Sequence, residues 1–353
     1  MTHRERVLAA INHKEPDRVP IDLGSTRETS IHVLNYERLK RILGIEAPNI
    51  ISDRMQQCVL VDERILTHFD VDLRAILPNA PDKGGDVELH EYTYRDQWGV
   101  VRSKPPGSYW YDLRKSPLAG PITVQDIVNY PWPDPDDPGR VRGVRERALQ
   151  LKKEGDYALV LGLSIGVVHT SQYLRGFDDW YVDLASDPKL LGALIDAILE
   201  VSMGIARNMM REVGDLVDIV HGGDDLGTQR APQMSPEAYR AVLKPRHARF
   251  FRQVRDMCPH AKIALHSCGS IYPLIGDLID AGVDILNPIQ VSAQNMDPVK
   301  LKADFGDRMS FWGGIDSQRV LPKGMPGDVR VEVARRIGDL GPGGGYIVAP
   351  VHN

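Results

Sequence analysis

The sequence predicts an α/β protein built as a (β/α)8 TIM-type barrel, somewhat distorted, with an N-terminal helical and hairpin elaboration. Three observations carry this. Short Val/Ile/Leu-rich runs alternate with helical segments through the second half of the chain, as expected for parallel strands buried on both faces. Gly and polar residues cluster after each run, and α/β barrels carry their working residues at strand C-termini. No run leads into a GxGxxG phosphate loop, so a barrel is preferred to a doubly wound open sheet. One domain over 1–353 is expected, with the elaboration and first strands in 1–140 and regular βα units in 156–353.

In chain order, Thr2 to Ile11 reads as a helix, and RVPIDLG and DVDLRAIL (Asp70–Leu77) as strands. VELHEYTYRDQWGVVRS alternates about Asp96–Gly99 and reads as a β-hairpin capping the barrel mouth. The Pro-rich YPWPDPDDPG (Tyr130–Gly139) is a loop. LVLGLS (Leu159–Ser164) is a strand. From Pro188 to Val213, Leu191, Leu194, Ile195, Ile198, Ile205 and Met209 recur at helical spacing. LVDIVHGGDD (Leu216–Asp225) is the next strand, and Ser235-Pro236 opens a helix that Pro245 should kink. KIALHSCGS (Lys262–Ser270), a helix from Ile271 to Ala281 closed by Gly282, GVDILNPIQ, a helix from Asp297-Pro298, MSFWGGID, a helix from Asp328 to Leu340 and GYIVAPVHN complete the series. GPGGG (Gly341–Gly345) precedes a strand and is a turn.

Composition excludes several classes. The chain has 353 residues, 42% hydrophobic, enough for a large core. Net charge is −5 with both signs interspersed, and no basic stripe argues for nucleic acid. No apolar run approaches the ~18 residues that span a bilayer. The N-terminal MTHRERVLAAINHKEPDR has no signal-peptide core, and three cysteines make no disulfide framework. A cytoplasmic protein with reduced thiols is expected. Cys58 and Cys258 read as inert thiols in helical surroundings.

If the strands share one barrel, their ends converge, bringing together Ser164, His221, Asp224, Asp225, His266, Cys268, Asn287, Gln290, Asp316 and His352. His266 and Cys268 are two residues apart, so an extended strand puts the imidazole and the thiol on one face. That pair is half of a zinc site, and an open catalytic zinc needs three protein ligands. His352 supplies a third. Asp224 or Asp225 is a fourth ligand, a base, a histidine-orienting partner or a helix cap. His221 is either catalytic or a satisfied core histidine. Asn287, Gln290 and Asp316 are candidates to meet a cofactor.

THRERVLAAINHKEPDRVPIDL, GLSIGVVHTSQYLRGFDDWYVDLASDPKLLGALID, HSCGSIYPLIGDLIDAGVDILNP and YIVAPVHN together resemble the uroporphyrinogen decarboxylase superfamily over nearly the whole chain. Within it, the HSCG block resembles the cobalamin-dependent methyltransferases acting on methylamine- or methanol-derived methyl groups and on methoxylated aromatics. The resemblance implies zinc held by His-x-Cys and a later Cys in an A-P-G-C segment. His266 and Cys268 match, and Ala349-Pro350-Val351-His352 puts histidine where that Cys would be. The decarboxylases have an Arg-rich M-R-Q-A-G-R-Y segment near the N-terminus. Here IDLGSTRETSIH carries only Arg27, so porphyrinogen decarboxylation is the secondary reading. A D-x-H-x-x-G cobalamin signature is missing, so the corrinoid would ride on a separate protein. The implied activity is zinc-dependent methyl exchange between a small methylated substrate or thiol and that corrinoid protein. A non-catalytic barrel binding a small molecule is the third reading. A homodimer is a further expectation. The family usually continues past the position of Asn353, so a truncated chain is expected.

Overall fold

A computed structural model describes residues 1–353. Seven parallel strands form one curled sheet of TIM-barrel type, with neighbours in sequence order: β1 (Leu73–Ile76), β2 (Ala158–Gly162), β3 (Ile219–Gly223), β4 (Lys262–His266), β5 (Ile285–Asn287), β6 (Ser310–Ile315) and β7 (Tyr346–Pro350). Each lies where a Val/Ile/Leu run predicts a strand buried on both faces.

The segment RVPIDLG joins the two edges of this sheet. Val348 N–H donates to the Pro20 carbonyl at 2.9 Å, and Asp22 N–H to the Val348 carbonyl at 3.0 Å. On the other side, Asp72 N–H donates to the Ile21 carbonyl at 3.0 Å, and Ile21 N–H to Asp72 Oδ2 at 2.7 Å. It forms a bridge at Ile21↔Val348 rather than a ladder. Pro20 has no N–H to give, and the chain turns away at Gly24, whose φ of 84° is left-handed.

Strand periodicity sets what fills the interior. Ala158, Val160, Ile219, Ala264, Ile285, Trp312, Ile347 and Ala349 point inward, and Val7 and Ile11 of the N-terminal helix His3–Ile11 join them from below. Two residues further along the strands, the same face presents His221, His266 and Asn287. The interior thus changes from apolar to titratable toward the C-terminal strand ends, with His221 level with Ala264 and His266 level with Asn287.

A larger core of 53 buried residues lies outside the sheet, between it and helices such as Pro188–Val213. The kink expected at Pro245 is a π-helical turn, Tyr239–Leu243, directly before the helix Lys244–Met257. The hairpin about Asp96–Gly99 is present and belongs to a four-stranded antiparallel sheet, Val87–His90, Thr93–Arg95, Val101–Ser103 and Asp112–Lys115. Asp96 Oδ1 accepts from Trp98 N–H and Val100 N–H, both at 3.0 Å, which fixes the turn. No helix is long and apolar enough to cross a membrane.

Candidate functional site

The loops after β3 and β4 are laced together, and this aims the site residues. Asp224 N–H donates to the His266 carbonyl at 2.8 Å, Leu226 N–H to Ser267 Oγ at 3.0 Å, and Ser270 N–H to the Thr228 carbonyl at 2.7 Å. Gly227 and Gly269 touch: a Cβ on Gly269, whose φ is +91°, would lie 2.6 Å from the Gly227 carbonyl carbon. Only glycines permit that approach, and it holds Cys268 beside Asp225.

Cys268 N–H donates to Asp225 Oδ1 at 2.8 Å. The other oxygen of Asp225 meets His169 Nε2 at 3.1 Å, and Oδ1 lies 3.6 Å from His266 Nε2. Burial pushes the Asp225 carboxyl up, but the His169 hydrogen bond and the neighbouring histidines outweigh it and hold it far below the usual carboxylate range. Burial, with Asp225 alongside, pushes the Cys268 thiol well up. His266 Nδ1 is bonded to Asn287 Oδ1 at 2.6 Å, which leaves Nε2 facing Asp225. The donor atoms of Asp225, His266 and Cys268 all lie within 4.8 Å of one another.

A second group shares His266. Glu28, His221 and His266 also bring donor atoms within 4.8 Å of one another, all three buried. Burial raises the Glu28 carboxyl, but Arg27 at 2.8 Å and the two histidines outweigh it and keep the group well below its ordinary value. Burial first of all lowers His221, to about 4. The imidazole is therefore neutral near pH 7 and has a lone pair to offer.

The cleft above both groups encloses about 400 Å³ and is lined by Glu28, Asp53, Tyr94, Ser164, His169, Asp225, His266 and His352, among others. Through Met55, Gln56, Arg102, Tyr173 and His352 it continues into an outer chamber of about 1440 Å³ walled by Tyr109, Trp110, Tyr111 and Phe177. The antiparallel sheet supplies Tyr94, Asp96 and Arg102 to the inner cleft.

The URO-D (uroporphyrinogen decarboxylase) family model matches residues 113–353. The chain belongs to the uroporphyrinogen decarboxylase family. This URO-D protein is also 24% identical, over 206 residues, to "Methylcobamide:CoM methyltransferase MtbA" of Methanosarcina acetivorans, a match covering 58% of this chain and 57% of that protein. The chain thus spans little more than half the length of its curated relative. A solved "methyltransferase from Methanosarcina mazei" shares the fold, with a TM-score of 0.65 at 18% identity over 100% of this chain and 95% of that one.

Within the URO-D fold, Ser164 lines the cleft, and the other residues expected at the strand ends separate into three sets. His221, His266, Cys268, Asp225 and Asn287 are brought together as described. His352 stands at the rim: its ring lies 5.6 Å from the His266 ring, its Nδ1 is bonded to Asn353 Oδ1, and it belongs to neither donor group. Asp225 occupies the place beside His266 and Cys268 that the sequence assigned to His352. Asp224, Gln290 and Asp316 are turned to structural work. Asp224 is fully buried, accepts from Val168 N–H at 2.8 Å at the start of the helix Val167–Arg175, and meets His247 Nε2 at 3.0 Å. Gln290 Oε1 accepts from Gly269 N–H at 2.6 Å. Asp316 Oδ1 accepts from Gln318 N–H at 2.7 Å and Arg319 N–H at 2.9 Å, which fixes the turn after β6.

Cys58 is in the two-residue strand Cys58–Val59, not a helix, and Asn353 Nδ2 contacts its sulfur. Sequence reading missed Glu28 and His169. Glu28 sits in a loop and His169 in the first turn of the helix Val167–Arg175, where no period aims them. The available signal for Glu28 was its place beside Arg27, the one arginine of IDLGSTRETSIH.

Proposed function

We propose that this URO-D protein is a zinc-dependent methyltransferase. It moves a methyl group between a small methylated substrate or thiol and a corrinoid carried on a separate protein. The observation that carries the reading is the Asp225–His266–Cys268 group, set at the strand ends beneath a cleft. The similarity to a methylcobamide-using methyltransferase supports it. One imidazole, one thiol and one carboxylate fit zinc, and three protein donors leave its fourth position for a substrate.

When bound, zinc supplies Lewis acidity, holding a thiol as thiolate or polarising a leaving heteroatom. The chain's own residues prepare the place. Asn287 fixes the tautomer and direction of His266. His169 and the Cys268 amide hold Asp225 ionised and oriented. Burial and Asp225 keep Cys268 protonated by itself, which makes it a poor nucleophile, and it would release that proton on binding zinc as thiolate. His352 and the aromatic chamber face the incoming substrate.

The cleft does not suit a substrate with many carboxylates. Its arginines are already paired: Arg27 with Glu28 and Asp53, Arg54 with Glu88 and Asp86, Arg102 with Asp96. Glu28, Asp53, Asp86, Asp96 and Asp225 would repel a polyanion. Protein purified without chelator is expected to carry close to one zinc per chain by elemental analysis. A chain that arrives metal-free and binds none when zinc is added would sink this reading.

A further inference from the structure

His221 Nε2 and Glu28 Oε2 are buried and have no hydrogen-bond partner. They face each other at 4.0 Å. That is beyond a hydrogen bond, yet two metal–ligand bonds of about 2.0–2.2 Å each span such a gap. His266 closes the triangle, with its donor atom within 4.8 Å of both. His221 pairs in register with Ala264, two residues before His266, so this position lies one side-chain layer deeper than Cys268. The set is two imidazoles and a carboxylate, with no sulfur, a combination that suits first-row divalent cations generally.

We propose that Glu28, His221 and His266 form a second, inner seat for a divalent cation, beneath the Cys268-bearing seat. This rests on the zinc reading above. His266 belongs to both donor groups, and its Nδ1 is committed to Asn287, so one ion fills one seat at a time. An ion in the outer seat binds the Cys268 sulfur; an ion in the inner seat leaves that sulfur free. The inner seat also accounts for two buried polar atoms that are otherwise unsatisfied.

The test is titration of cobalt(II) alone into metal-stripped full-length protein, reading stoichiometry, affinity and the thiolate-to-cobalt charge-transfer band. Wild type should bind one ion and show the band. Cys268→Ala should lose the band yet still bind one ion, within about 100-fold of wild-type affinity. Cys268→Ala/Glu28→Gln and Cys268→Ala/His221→Gln should each lose at least a further ~10-fold. Two different inner-seat substitutions, each checked by circular dichroism, guard against one variant failing to fold. If Cys268→Ala binds cobalt no better than either folded double variant, the inner seat is overturned and the zinc reading stands. If wild type binds without the band and Glu28→Gln abolishes binding, the inner seat stands and the Cys268 ligand fails. If wild type binds no cobalt, both fall.

Discussion

His266→Ala is expected to strip the protein of tightly bound zinc. The loss should exceed the roughly 10–100-fold typical of removing a partner that only orients a ligand. His266 is the one donor common to the Asp225–His266–Cys268 and Glu28–His221–His266 groups, so no single remaining residue restores either. Asn287→Ala should fall within that smaller range, because Asn287 touches only Nδ1 of the ligand. Competition against a chelator of known affinity measures both. Equal zinc affinities for His266→Ala and wild type would remove His266 from the site. His266→Ala leaves the interior plug of Val7, Ile11, Leu73 and Trp312 untouched, and Asn287→Ala removes from it only a 3.3 Å hydrogen bond to the Trp312 carbonyl, so both should stay folded.

Asp72→Ala is expected to destabilise the fold by about 3–5 kcal/mol, the usual cost of breaking a buried ionic network from one side. Asp72 is fully buried at the opposite end of the sheet from the cleft. It accepts from Arg6 Nη1 at 2.7 Å, Arg18 Nη1 at 2.6 Å and Ile21 N–H at 2.7 Å, and meets His3 Nδ1 at 2.8 Å. One carboxylate therefore ties the N-terminal helix to β1 and holds the Pro20–Asp22 segment against the sheet edge. Its loss leaves Arg6, itself almost wholly buried, with Asp17 as its one acidic partner beside the Met1 carbonyl. Urea unfolding of the variant should show a lower midpoint with an unchanged slope. Zinc binding by the folded fraction should match wild type, since no donor is near. A loss under ~1 kcal/mol would show that the network contributes little.

Much of this was legible in the sequence, for physical reasons that also mark its limits. The seven strands announced themselves because parallel strands covered on both faces must be apolar throughout. The helix Pro188–Val213 was readable end to end because Asp187 caps it, proline starts it and its apolar stripe is unbroken. The helices Val144–Glu154, Val167–Arg175 and Phe177–Ser186 were not: glycine stands at each N-cap, and no side chain marks the start. His266 and Cys268 were findable because two-residue spacing on a strand aims both at one place. Glu28 and His169 reach the same place from a loop and from the first turn of a helix, where no periodicity reveals direction. Asp224 and Asp225 show the limit most clearly. They are adjacent and chemically identical, and their roles separated only when the loop turned one toward His247 and the other toward His266.

Methyl transfer that depends on zinc is the central proposal. The measurement is loss of the methyl–cobalt absorbance of a methylated corrinoid protein in the presence of a thiol. It compares zinc-loaded protein, the same protein stripped of metal, and stripped protein reloaded with zinc. The predicted result is turnover in the first, little or none in the second, and recovery in the third. Turnover by the stripped protein equal to that of the zinc-loaded protein would contradict the account.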